Sequence, residues 1–212
     1  MIYNNIEELG LCSSPFWDAN LTWYSDVPDL TPCFEETVLV LLPGLLLLYL
    51  LPLDCWWIRQ SFYKDIPWSW LNLSKILVLA LMMGVSTVKF IQSALNNNTY
   101  PAEIISPVIQ FLIFGTLFNL VLRHKSRGIR ASYTCFLCSL VLVACYTPRI
   151  YSLARLYINS ALQDVLSAKI SIFLYFLLWA FFILHWFCDK EPRYNIFPSL
   201  EVRNSVERIE PS

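Results

Sequence analysis

The sequence predicts an all-α membrane protein: five transmembrane helices with the N-terminus outside, the C-terminus cytosolic and a small extracellular cap. Three observations predict it. Five apolar runs of membrane length follow one another between Thr37 and Phe187. The 36 residues before them carry seven acids (Glu7, Glu8, Asp18, Asp26, Asp29, Glu35, Glu36) and no Lys or Arg. The chain is 57% apolar with a mean hydropathy of +0.52, above the roughly 45–50% apolar content of soluble domains.

The first run, Thr37 to Trp57, contains Asp54 as its one Asp, Glu, Lys or Arg. About 20 such residues cross a hydrocarbon core of about 30 Å. Pro43 and Pro52 interrupt it, and proline is tolerated in a membrane helix when neighbours satisfy the freed carbonyls. Trp56, Trp57, Trp68 and Trp70 follow, placed for an aromatic belt at the inner interface. The first inner loop, Arg59 to Lys75, carries Arg59, Lys64 and Lys75.

Leu73 to Leu95 is the second span. Lys89, near its outer end, is expected to snorkel outward. A short outer loop, Asn96 to Glu103, has turn chemistry, and the third span runs from Ile104 to Leu122 with Pro107 in its first turn. Arg123 to Arg130, RHKSRGIR, is the densest basic cluster and reads as a topology determinant facing anionic lipid. The fourth span runs from Ala131 to Thr147 and stops at Pro148-Arg149. Its Cys135 and Cys138 lie at i,i+3 on one helical face. No further ligand stands at metal-site spacing, so they read as packing residues. After an outer loop, Tyr151 to Asp164, the fifth span runs from Leu166 to Phe187, with His185 near its inner end.

Charge placement fixes the orientation. The two inner loops and the C-terminal tail hold 11 of the 15 Lys and Arg residues; Lys89, Arg149, Arg155 and Lys169 fall on the outer side. Five spans with the N-terminus out satisfy the positive-inside rule. The net charge of −1 argues against a nucleic-acid partner held by bulk charge. No cleavable signal peptide is visible, so the first span is expected to serve as its own signal.

The tail carries two features with chemistry. Cys12 and Cys33 bracket a loop of 20 residues on the predicted oxidising side, either as a disulfide or as two reduced thiols. Asn20-Leu21-Thr22 is a glycosylation sequon on that side; Asn97-Asn98-Thr99 is a second, close to the bilayer, and Asn72-Leu73-Ser74 falls on the cytosolic side. Phe16, Trp17, Trp23 and Tyr24 are expected to pack as a cap on the outer helix ends. There is no Walker A motif, HExxH, nucleophile elbow or GxGxxG, so the chain on its own is expected to bind or assemble, not to catalyse.

The pattern Cys12, Pro15-Phe16-Trp17-Asp18, Asn20-Leu21-Thr22-Trp23, Pro28-Asp29, Thr31, Cys33-Phe34, Thr37-Val38-Leu39 and Pro43 resembles the N-terminus of the multidrug-resistance-associated transporters, subfamily C of the ABC exporters. The similarity continues at Leu71-Asn72-Leu73-Ser74-Lys75, Ser106-Pro107, Phe173-Leu174-Tyr175-Phe176 and Cys188-Asp189-Lys190-Glu191-Pro192. The resemblance implies an accessory five-helix domain: an extracellular tail (1–36) closed by a Cys12–Cys33 disulfide and glycosylated at Asn20, a bundle (37–187), and the start of a cytosolic linker (188–212). It implies a role in targeting, retention and partner contacts for an ATP-driven exporter of organic anions and glutathione conjugates. The chain then reads as a fragment whose partner is the transporter core of the same polypeptide. No cofactor is expected here, because ATP and magnesium belong to nucleotide-binding domains that this sequence lacks. The expected location is the plasma membrane, or a vacuolar or lysosomal membrane. The competing expectation is a stand-alone membrane adaptor or channel-regulatory subunit, of the sulfonylurea-receptor kind, that meets a membrane-protein partner through its helix faces.

Overall fold

The computed structural model describes residues 12, 14–24, 28–60, 68–95, 100–129, 132–158 and 165–187. Lys64, the Asn97 sequon, Arg130, Asp164 and the tail from Cys188, with its four basic residues, lie outside the described residues. Among the described residues all regular structure is helical: α1 (Ala19–Trp23), α2 (Pro32–Gln60), α3 (Trp70–Leu95), α4 (Pro101–Ser126), α5 (Tyr133–Ile158) and α6 (Val165–Trp186). The last five are long and apolar enough to cross a membrane. At about 1.5 Å per residue they span roughly 33 to 43 Å, more than a hydrocarbon core needs.

The helices exceed the hydropathy-defined runs, and local chemistry says why. Pro32 opens α2 five residues early. The Thr31 hydroxyl accepts from Phe34 N–H at 3.4 Å, and Glu35 N–H reaches the Thr31 carbonyl at 3.1 Å. A proline in the first turn has no intrahelical N–H bond to lose. Pro101 opens α4 in the same way after Tyr100, which moves Pro107 out of the first turn. At the far end α4 runs on to Ser126 and closes with Gly128 at φ 70°. Ile129 N–H bonds the His124 carbonyl (2.9 Å) and Gly128 N–H that of Lys125 (3.3 Å), a Schellman closure. Arg123, His124 and Lys125 thereby occupy the last turn, where cations favour the helix dipole.

One expected boundary is wrong. Pro148 does not end α5, which continues through it to Ile158. Beside the missing Pro148 N–H, the Thr147 hydroxyl donates to the Val143 carbonyl of the same helix (2.8 Å). Pro43 and Pro52 likewise lie inside an unbroken α2.

The five spans close a ring. In cyclic order it runs α2, α4, α3, α6, α5 and back to α2, with a slight contact of α4 against α5. Consecutive spans α2 and α3 do not pack on each other. The core is the apolar middle of the ring: Leu79 and Met82 of α3, Phe114 and Leu117 of α4, Cys135 and Cys138 of α5, Leu178 and Phe181 of α6. The outer faces are apolar too, with Leu45, Leu48, Leu81, Leu112, Phe176 and others exposed, as lipid requires. Hydroxyls within the spans turn back on their own helix, as Ser86 does to the Met82 carbonyl (3.0 Å). Gly44 brings α2 onto α4; a Cβ there would stand 3.2 Å from Ile113 Cδ1.

Gly128→Ala places a side chain in the left-handed region and should cost about 1 kcal/mol. Thermal unfolding in mild detergent checks this, with Gly128→Asn expected to lose less.

Candidate functional site

Polar groups gather in two layers, one at each end of the ring, named inner and outer after the orientation expected from the charges, and every span contributes to both. Eighteen residues separate Glu36 from Asp54 along α2, about 27 Å. The layers therefore lie about one hydrocarbon thickness apart.

The inner layer centres on Asp54 of α2, which is buried. Thr134 of α5 donates its hydroxyl to Oδ1 at 2.9 Å. His124 Nε2 of α4 lies 2.9 Å from Oδ2, an ion pair when the ring is protonated. The distance is that of a contact, but its angles are not those of a hydrogen bond, and Asp54 Oδ2 and His124 Nδ1 are both buried without a hydrogen-bond partner. Lys75, Asn72, Cys135 and His185 line a cavity of about 20 Å³ beside them, room for about one water. His185 directs Nδ1 to the Phe181 carbonyl at 2.9 Å. Lys75, counted with the first inner loop and lying at the start of the expected second span, is buried near the start of α3.

The outer layer carries more charge. Arg149 of α5 pairs with Glu36 of α2 at 3.2 Å. Ser152 Oγ, one turn on, lies 2.7 Å from Asp29 Oδ1 and 2.9 Å from Glu35 Oε1. Arg155 approaches Asp29 at 3.9 Å. Lys89 of α3 corrects the snorkelling expectation: its ammonium turns into the bundle, 3.4 Å from the Tyr146 hydroxyl and 5.7 Å from that ring's centroid. It crosses from α3 to α5, two helices that do not adjoin in the ring. A cavity of about 220 Å³ opens here, lined by Glu36, Lys89, Glu103, Gln110 and Arg149 among others.

The cap joins this layer. A disulfide links Cys12 to Cys33 in the first turn of α2. Phe16 and Trp17 meet Phe34 edge-on, with centroids 5.8 and 5.2 Å away. Thr31 donates to the Phe16 carbonyl at 2.6 Å. Trp23 and Tyr24, expected to pack, are 71% and 83% exposed. Asn20 is exposed on α1, whose N-cap Asp18 accepts from the Asn20 N–H at 2.9 Å. The four Trp residues of the expected belt are exposed, and Lys125 Nζ stands 3.5 Å from the Trp68 ring centroid.

Neither polar layer was read from the sequence, although α4 carries a signal for both. Glu103, Ser106, Gln110, Phe114, Leu117, Val121 and His124 recur at three- and four-residue spacing, a single helical stripe that is polar at both ends. Cys135 and Cys138, the CxxC pair, are buried within the core; among the described residues no group of three or more His, Cys, Asp or Glu is arranged to hold a metal.

Residues 20–173 match the ABC transporter TMD0 domain. The chain belongs to that family. Its relatives include ATP-binding cassette sub-family C member 3 of Mus musculus, 30% identical over 140 residues, and of Rattus norvegicus, 31% identical over 140 residues. The same protein of Homo sapiens is 27% identical over 143 residues. The matched segments take up 64%, 64% and 62% of this chain and 9% of each relative. The chain thus spans less than a tenth of the curated relatives it matches. It is a TMD0 domain of the subfamily C type and an integral, multi-pass membrane protein.

In this TMD0 domain, removing one partner of the buried Asp54 contact should be costly. Asp54→Ala is expected to destabilise by about 3 kcal/mol and Thr134→Val by about 1 kcal/mol. Combining Asp54→Ala with His124→Ala should give less than the sum of the two single losses. Thermal unfolding of the four proteins in micelles measures the coupling. Replacing Cys12 and Cys33 by Ser should cost roughly 3 kcal/mol by loop entropy, a loss that dithiothreitol should reproduce in the parent protein.

Proposed function

We propose that this TMD0 domain serves an ATP-driven exporter of organic anions and glutathione conjugates as its accessory domain, acting in targeting, retention and partner contacts. The match of residues 20–173 to the TMD0 family carries the reading, and the subfamily C relatives support it. The chain does no catalysis itself. Its principal partner is the transport core of the same polypeptide, whose nucleotide-binding domains take ATP and magnesium. The described part has the form such a role needs: a self-contained bundle with an apolar outer surface for lipid and for neighbouring helices.

In this reading residues 1–36 lie outside, 37–187 form the membrane bundle and 188–212 begin the cytosolic linker. The helix start at Pro32 moves the last five tail residues onto the first span. The basic residues that alternate to one side support an N-terminus outside, and a glycan on Asn20 and an oxidised Cys12–Cys33 pair follow from that orientation. The plasma membrane is the proposed location.

Sequencing the native transcript past the Ser212 codon tests the assignment. An open frame leading into transport helices and a Walker A motif is the expected result. A stop codon at that point in abundant message would instead make the chain a free five-span adaptor. For the orientation, endoglycosidase should shift the wild-type band on a gel and leave Asn20→Gln unmoved. An N-terminal epitope that antibody reaches only after permeabilisation would reverse the topology.

A further inference from the structure

The outer cavity has the composition of a binding site. It holds about 220 Å³ at the membrane boundary, against about 20 Å³ at the inner end. Lys89 projects into it from six residues before the end of α3, about 9 Å along the axis. Among the described residues its polar contact is the neutral hydroxyl of Tyr146, and no carboxylate lies within ion-pair distance of it. An ammonium has three hydrogens to give and at this site gives one. Gln110 lines the same cavity at 3% exposure, and its Oε1 has no hydrogen-bond partner. A half-buried donor and a buried acceptor thus face one space with unused capacity, and the unpaired acceptor costs free energy until something fills it.

The lining charges narrow the ligand. Lys89 and Arg149 are matched in number by Glu36 and Glu103. A plain anion would meet two carboxylates as well as two cations. A group carrying both an oxyanion and a hydrogen-bond donor meets the lining better: oxyanion to Lys89, donor to Gln110 and the acids. The rim points to where such a group comes from. Ile91, Ile105, Val108 and Leu166 stand exposed at this height, beside the cavity-lining residues of their own helices. Acyl chains can lie along them while a headgroup turns inward.

We infer that the outer cavity is a binding site for a zwitterionic phosphodiester headgroup, as carried by a glycerophospholipid, with the phosphate on Lys89 and the headgroup donor on Gln110. Bound lipid would fill the space between the outer ends of α3, α4 and α5. Neither the exporter assignment nor the presence of a transport core is needed for this site.

The full chain, purified in mild detergent and stripped of lipid, tests the site by thermal unfolding with three added probes. They are a short-chain phosphatidylethanolamine, glycerophosphoethanolamine, and a diacylglycerol of the same chain length. Phosphatidylethanolamine should raise the unfolding temperature saturably, and the diacylglycerol should not. Lys89→Met should weaken the apparent affinity at least about tenfold, as loss of a charge-assisted bond does, while Lys89→Arg retains it. Lys169→Met, an exposed cation outside the cavity, should match the wild type. Equal protection by glycerophosphoethanolamine supports the oxyanion site and assigns it a soluble phosphoester. Equal protection by phosphatidylethanolamine and diacylglycerol overturns the site, as does undiminished binding by Lys89→Met. If Lys89→Met does not fold, the wild-type comparison of the two lipids decides alone.

Discussion

A lipid solvent offers no hydrogen bonds, and each part of this domain answers to that constraint. The backbone is satisfied within helices, and hydroxyls in the spans turn back to their own carbonyls. Charged groups cannot be left facing hydrocarbon, so they meet one another across the ring. Asp54 shows the balance most clearly. It sits on an apolar membrane-length helix and is tolerable there because α4 brings His124 and α5 brings Thr134 to its two oxygens. Remove either neighbour and the carboxylate becomes a buried charge with half its support.

The polar layers also specify which helices adjoin. Apolar middles of Leu, Phe and Met pack in many registers, because one leucine face resembles another. A carboxylate near the inner end of α2 and another near its outer end accept few partners. Asp54 selects α4 and α5; Glu36 selects Arg149, again on α5. These contacts agree with the packing that surrounds α2 by α4 and α5. Lys89 adds a tie across the ring, between helices whose backbones stay apart.

The sequence made much of this fold legible, because hydropathy reports lipid exposure directly. Five runs stood out, and five membrane-length helices stand there in the fold. Helix ends were less legible for a physical reason: a window that rewards apolar residues stops at Glu36 and Arg123, although Thr31-Pro32 and Gly128 are good start and stop signals. Pro148 misled because proline ends helices in water more readily than among neighbouring spans. The layers were least legible. Asp54, His124 and Thr134 lie 70 and 80 residues apart in pairs from Asp54, and their meeting depends on a ring order that no local pattern encodes. Lys89 was read from depth alone; its inward turn depends on Tyr146, on a helix not yet placed beside it.

The ring order has a temporal side. A ribosome delivers α2 first and α3 next, yet these two do not pack on each other. The newborn pair has no mutual interface to settle into, and the Asp54 carboxylate has neither of its partners. α4 is the first helix to arrive that packs against both. It fills the gap between its predecessors and carries His124 to Asp54 in one event. Assembly in the bilayer therefore waits for the third span and then joins three helices at once.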